Sequence, residues 1–218
     1  EEKLRECRGD QVLPSSNTHI RAPAGGGKTF LALTLTLDLL ESDKKATVLF
    51  VAKNVALAYS FVKWMCSLLR QKKMGTIKMD KLLKRLDVLS ETSRQSQLSL
   101  QAIKYDDGQL TLCPLQDARE IEYTLLIVDE AHHLYCDSSA SKEVKKYMGT
   151  NTRCILLADV SQGVDRDVVY PAGADAGTEA SSTNAQWKTV ELTQVVRSSK
   201  RIVAGAMNFQ TGAGKLLT

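Results

Sequence analysis

Apolar residues recur along the chain in two rhythms, and together they lay out alternating strands and helices. Residues 1–18 are polar and charged, and Thr18 to Ala22 is a short strand leading into a glycine-rich turn. From Phe30 to Leu40 the leucines at 33, 35, 37 and 39 alternate with polar residues, which taken literally is a strand period. A helix is expected there instead, because leucine-rich segments form helices readily. Being apolar nearly all round, that helix should be buried against a sheet. Thr47 to Ala52 is an unbroken β-branched and aromatic run, the pattern of a central parallel strand. Val55, Tyr59, Val62, Met65, Cys66 and Leu69 then recur at helical spacing, which predicts an amphipathic helix over 55–70. Its aromatics, Tyr59, Phe61 and Trp64, read as packing residues rather than base-stacking platforms.

The second half continues in the same manner. Leu82, Leu83, Leu86 and Leu89 fall on one side of a helix over 80–89, and a hairpin is expected at 98–105 and 109–112 around Asp106-Asp107-Gly108. Residues 74–120 are therefore read as a small insertion on the core. Leu125 to Val128 is a buried strand, followed by a short helix at 142–148 and a strand from Cys154 to Ala158. The stretch 164–186 is rich in Gly, Ala, Ser and Asp and predicts a long loop; Trp187 to Leu192 is the last strand. Ile202, Val203, Ala206 and Phe209 mark a closing helix capped by Ser198 or Ser199. The order of elements predicts an α/β fold, a mainly parallel sheet flanked by helices, with sites at the carboxyl ends of its strands. One domain over 18–210 is expected, with a lead-in at 1–17 and a tail at 211–218.

Composition changes this picture little. The 218 residues are 43% hydrophobic, the net charge is +4, and the mean hydropathy is −0.19. Such a balance permits a nucleic-acid partner without requiring one. The most apolar run is broken by Thr34, Thr36 and Asp38 and is far short of the ~20 residues of a membrane span, so no membrane association is expected. Nothing at the start resembles a signal peptide, and Glu1 in place of Met fits a segment of a longer protein. Cys7, Cys66, Cys113, Cys136 and Cys154 are widely spaced, without a C-x-x-C pair, which suits a reducing compartment; an intracellular location, cytoplasmic or nuclear, is expected.

Chemistry enters with Ile20-Arg21-Ala22-Pro23-Ala24-Gly25-Gly26-Gly27-Lys28-Thr29. The stretch fits the phosphate-binding pattern G-x-x-x-x-G-K-[ST], except that Ala22 stands where the first Gly is usual. Glycines let backbone N–H groups close on a polyphosphate, Lys28 supplies charge to its β- and γ-phosphates, and the Thr29 hydroxyl is placed to ligate Mg²⁺. The expected phosphate contacts run through Ala22, Pro23, Ala24, Gly25, Gly26, Gly27, Lys28 and Thr29. A plain flexible turn is the alternative. The second signal is Leu125-Leu126-Ile127-Val128-Asp129-Glu130. A nucleotide site needs a carboxylate for Mg²⁺ from another strand end, and Asp129 suits it, while Glu130 is the general base that orients the attacking water. His132 and His133 are helix neighbours that should not share a face, so a metal pair between them is not expected.

Asp129-Glu130-Ala131-His132 resembles motif II of helicases. Ile155-Leu156-Leu157-Ala158-Asp159-Val160-Ser161-Gln162 resembles motif III of superfamily 1 helicases, usually G-D-x-x-Q, and Glu191-Leu192-Thr193-Gln194-Val195-Val196-Arg197-Ser198 resembles their motif IV. Leu-Thr-x-Val-Val-Arg followed by Ile202-Val203 is most similar to the helicase domain of Schlafen proteins. The resemblance spans roughly 18–210 and implies a RecA-like P-loop NTPase domain binding ATP and Mg²⁺. It implies that Gln162 senses the γ-phosphate and that Arg197 stabilises transition-state charge, with a surface arginine near a helix start as the alternative for the latter. Gln11 takes the place of an adenine-reading glutamine, or is a surface residue; Asn54 lies where such helicases touch single strands, or caps a helix. Ala158 replaces a glycine and Val196 replaces the usual tyrosine, which leaves base selectivity open. Nothing before Thr218 resembles motifs V and VI, so a second RecA-like domain is expected outside this chain. Single-stranded DNA or RNA is the implied partner. The expected activity is ATP hydrolysis, weak in the isolated domain, and the alternative is a nucleotide-gated binding or signalling module with little hydrolysis.

Overall fold

The computed structural model describes residues 16–92, 95–106, 108–115, 122–159, 170–171 and 187–192. In chain order these residues form β1 (Asn17–Arg21), α1 (Lys28–Ser42), β2 (Val48–Asn54), α2 (Val55–Gln71) and α3 (Thr76–Leu83). They continue with β3 (Leu86–Thr92), β4 (Gln95–Asp106), β5 (Gln109–Pro114) and β6 (Leu125–Val128). α4 (Ala131–Leu134), α5 (Ser138–Lys145), β7 (Arg153–Ala158) and β8 (Trp187–Glu191) complete the set. The strands make one sheet in the order β5-β4-β3-β2-β6-β7-β1-β8. From β3 to β8 all neighbours are parallel, and the β4–β5 hairpin joins the β3 edge antiparallel.

Strand side chains alternate between two buried layers, as the two-residue strand period requires. Val48, Phe50, Ala52, Ile127, Ile155 and Leu157 face one layer with α1, α2 and α3. Leu49, Val51, Leu126, Val128, Cys154 and Leu156 face the other with α4 and α5. A sheet covered on both sides explains why β2, β6 and β7 read as unbroken apolar runs. Phe50 of β2 stacks on Phe61 of α2 with ring centroids 3.7 Å apart, while Tyr59 and Trp64 remain partly exposed.

The leucine-rich segment 30–40 is helical, as expected: Leu31, Leu33, Leu35, Leu37, Leu39 and Leu40 are all buried, so burial nearly all round overrides the apparent strand alternation. The helix expected over 80–89 is corrected. α3 ends at Leu83, and Leu86 and Leu89 lie on β3. Arg85 makes the break: its guanidinium donates to the carbonyls of Leu40, Asp43 and Ala46, which pins the start of β3 to the end of α1. The short helix expected at 142–148 begins earlier, at Ser138, where the Asp137 carboxylate accepts from the N–H groups of Ser139 and Ala140. Residues 74–115 extend the main sheet by three strands.

Candidate functional site

The sheet order places β7 between β6 and β1, so the carboxyl ends of three adjacent strands open on one spot. β1 delivers the glycine-rich turn, β6 delivers Asp129 and Glu130, and β7 delivers Asp159. Crevices at strand carboxyl ends are where open α/β sheets bind ligands.

The turn from Ala22 to Gly27 is built by its glycines. Gly25 and Gly27 take φ of 77° and 84°, a region that side chains disfavour. Gly26 donates to the Pro23 carbonyl at 2.9 Å, and a Cβ there would meet the Ala22 Cβ and the Pro23 oxygen, each at 3.0 Å. Ala22 itself is fully buried and its N–H donates to the Ala158 carbonyl at 3.0 Å. The methyl that departs from the usual glycine therefore sits beneath Gly26, and the two positions constrain each other. Gly27 caps α1 without a side chain, so the helix begins at Lys28 with its N-terminus facing the turn.

Lys28 is buried at the base of the turn. Its ammonium donates to the carbonyls of Ala22 at 2.8 Å and Pro23 at 3.3 Å, and lies 3.9 Å from the Asp159 carboxylate. The Thr29 hydroxyl donates to Asp129 Oδ2 at 3.3 Å. Asp129 Oδ1 accepts from the backbone N–H of Glu130 at 3.0 Å. Burial, and then the neighbouring Glu130 charge, raise the Asp129 carboxyl to about 6 against the pull of its hydrogen bonds and of Lys28. A buried carboxylate raised in this way, beside a hydroxyl oxygen, is a hard-ligand pair that a divalent cation would relieve, so the residues fit Mg²⁺.

Glu130 adopts φ 50°, ψ 44°, a left-handed conformation uncommon outside glycine. Its Oε2 lies 3.3 Å from Nε2 of His132, which is buried on α4, and His132 Nδ1 accepts from the backbone N–H of Asp159 at 3.3 Å. The His132 and His133 rings lie 4.2 Å apart, so the expectation that helix neighbours diverge is corrected: α4 is a single short turn, and Glu130, His132 and His133 offer ligand atoms within 4.8 Å of one another.

The structure thus brings together Ala22, Lys28, Thr29, Asp129 and Glu130. Asp159 and His132 join them, and the sequence alone does not assign either a role in the site. The signal for Asp159 was its place at the end of an apolar strand; for His132 it was the motif II position. Asn54 caps α2, its side-chain oxygen accepting from Leu57 N–H at 2.9 Å, which is the helix-capping alternative. Gln11, Gln162 and Arg197 lie outside the described residues, as do the loop after Asp159, apart from 170–171, and the closing helix.

Residues 9–158 match the family described as type III restriction enzyme, res subunit, a helicase-like P-loop fold. Among solved structures, the large terminase ATPase domain of Thermus phage P74-26 is similar at 10% identity, covering 72% of this chain and 68% of that chain, with a TM-score of 0.38. An arginine-to-alanine variant of that domain is similar at 9% identity over 89% of this chain and 85% of that one, also with a TM-score of 0.38. No curated protein sequence matches the chain. Among the described residues no helix is long and apolar enough to cross a membrane.

Proposed function

The chain belongs to the family of the type III restriction enzyme, res subunit, and from that footing we propose that it binds ATP with Mg²⁺ and hydrolyses it to ADP and phosphate. The observation that carries the reading is the convergence of Lys28, Thr29, Asp129 and Glu130 at the carboxyl ends of β1 and β6, the two strands that flank β7, with Thr29 and Asp129 in direct contact. The proposed roles follow from chemistry. The backbone N–H groups of Gly25, Gly27, Lys28 and Thr29 at the α1 N-terminus receive the phosphates, the Gly26 N–H being held by the Pro23 carbonyl. The Lys28 ammonium exchanges the Ala22 and Pro23 carbonyls for phosphate oxygens. Thr29 and Asp129 would hold Mg²⁺, which supplies positive charge against the phosphates. Glu130 orients a water in line with the γ-phosphorus and accepts its proton.

Gln162 as γ-phosphate sensor, Arg197 as transition-state cation and Gln11 as adenine reader are proposed on sequence resemblance alone. The same holds for the assignment as the first RecA-like half of a superfamily 1, Schlafen-type helicase, for single-stranded DNA or RNA as partner, and for a second RecA-like domain that completes the site. The test is direct. Glu130→Gln should bind Mg·ATP about as well as the parent while losing about 10²-fold or more in turnover. Turnover at the parental rate in that variant refutes the hydrolytic roles, and ATPase unmoved by single-stranded RNA and DNA refutes the nucleic-acid coupling.

A further inference from the structure

We infer that His132 is a positioning residue for Glu130: it fixes the orientation of the carboxylate that activates water. The inference deepens the hydrolytic reading above and rests on it. Four observations converge. His132 is 1% exposed, so its ring is held by packing rather than by solvent. Its Nδ1 accepts the Asp159 backbone N–H at 3.3 Å, which in the neutral ring leaves the proton on Nε2. That Nε2 lies 3.3 Å from Glu130 Oε2. The Oε2 atom is itself buried and has no aligned hydrogen bond among the described residues, so a small swing of either side chain makes His132 its donor. Catalytic hydrogen bonds of this kind are often long before substrate arrives and tighten in the productive complex.

Glu130 also needs such support. It sits at the N-cap of the one-turn α4 in a left-handed backbone conformation, which persists only where the surrounding structure holds it. His132 ties that carboxylate to the end of β7, the strand that also presents Asp159 3.9 Å from the Lys28 ammonium. One imidazole thereby spans the two sides of the site, the phosphate-binding lysine and the water-activating glutamate.

The competing reading is a transition-metal site formed by Glu130, His132 and His133. The hydrogen bonding opposes it. A histidine that ligates through one nitrogen donates an N–H from the other, and here Nδ1 faces a donor, the Asp159 N–H.

The test combines kinetics with ring-nitrogen NMR of the whole chain. His132→Leu should lower kcat by about 10²-fold through misplacement of Glu130, with KM for Mg·ATP within about twofold of the parent. His132→Gln can accept from the Asp159 N–H and donate to Glu130, so it should recover to within about tenfold of the parental kcat. In a Glu130→Gln background the His132→Leu change should add no further loss, and His133→Ala should leave turnover unaltered. Equal losses in His132→Leu and His132→Gln, or parental kcat in His132→Leu, overturn the inference. Absence of ATPase in the parent would instead strike the hydrolytic reading, and NMR then decides the geometry alone. A neutral His132 protonated at Nε2 supports it, whereas an Nδ1–H ring, or Zn²⁺ binding lost in both His132→Leu and His133→Ala, overturns it.

Discussion

Replacing Asp129 by Asn separates what this carboxylate costs the empty fold from what it contributes to the loaded site. Asp129 is 4% exposed, and burial together with the Glu130 charge raises it from its ordinary 3.8 to about 6. A carboxyl that is raised on folding is protonated in both states below about 4 and ionised in both above about 6 to 7. The native state therefore bears the cost of the charge at neutral pH and is relieved of it as pH falls. At about 1.4 kcal/mol per pH unit, the gap of about 2 corresponds to about 3 kcal/mol at pH 7.5, shrinking to roughly half that by pH 5. Asn keeps the shape without the charge, so the nucleotide-free variant should be more stable than the parent by up to about 3 kcal/mol at pH 7.5. For a chain of this size, that is roughly 6–12 °C in Tm. Saturating Mg·ATP should reverse the order. A ligand at about a thousand times its Kd adds about 4.1 kcal/mol to the parent, more than the offset of about 3, and the variant, lacking the cation ligand, should gain little. Thermal melts at pH 5, 6 and 7.5, with and without Mg·ATP, read all of this. An Asn variant that is less stable than the nucleotide-free parent at pH 7.5, or a difference that does not shrink on acidification, refutes the electrostatic reasoning; equal stabilisation of both proteins by Mg·ATP refutes the metal role.

Three further outcomes are expected. Gly26→Ala should cost about 1–3 kcal/mol, because the new Cβ meets both the Ala22 methyl and the Pro23 carbonyl at 3.0 Å, and adding Ala22→Gly should recover only part of it; denaturant melts measure both. Asn54→Ala should lose about 1 kcal/mol of stability through the α2 cap and Asn54→Asp should retain it, while neither changes single-strand affinity in a fluorescence titration. Arg85→Ala should destabilise by about 1–3 kcal/mol through the carbonyls of Leu40, Asp43 and Ala46, without altering nucleotide affinity measured by calorimetry.

Much of the fold was legible because strongly buried parallel strands announce themselves: Thr47–Ala52 overlaps β2 from Val48 onward, and Leu125–Val128 and Cys154–Ala158 lie within β6 and β7. The failures came where two periods fit the same residues. Leu82, Leu83, Leu86 and Leu89 satisfy a helix, yet Leu86 and Val88 also satisfy a strand, and Arg85 decides by binding carbonyls some forty residues away in sequence. The start of α5 was missed because Ser138-Ser139-Ala140-Ser141 carries almost no apolar signal and the Asp137 cap does the work. At the site, the phosphate turn and the acid pair were legible because each is contiguous in sequence. The Lys28–Asp159 approach and the Glu130–His132–Asp159 connection were not, since they depend on β7 lying between β1 and β6, an order the sequence does not state.

The central claim, that the β1 turn and the β6 acids form one ATP-hydrolysing site, meets its most direct test in a paired measurement of Mg·ATP binding and phosphate release. The parent chain should do both. Lys28→Ala should lose binding and turnover together, and Glu130→Gln should keep binding while turnover falls by about 10²-fold or more. Undiminished Mg·ATP binding by Lys28→Ala, or phosphate release by Glu130→Gln at the parental rate, would contradict the account.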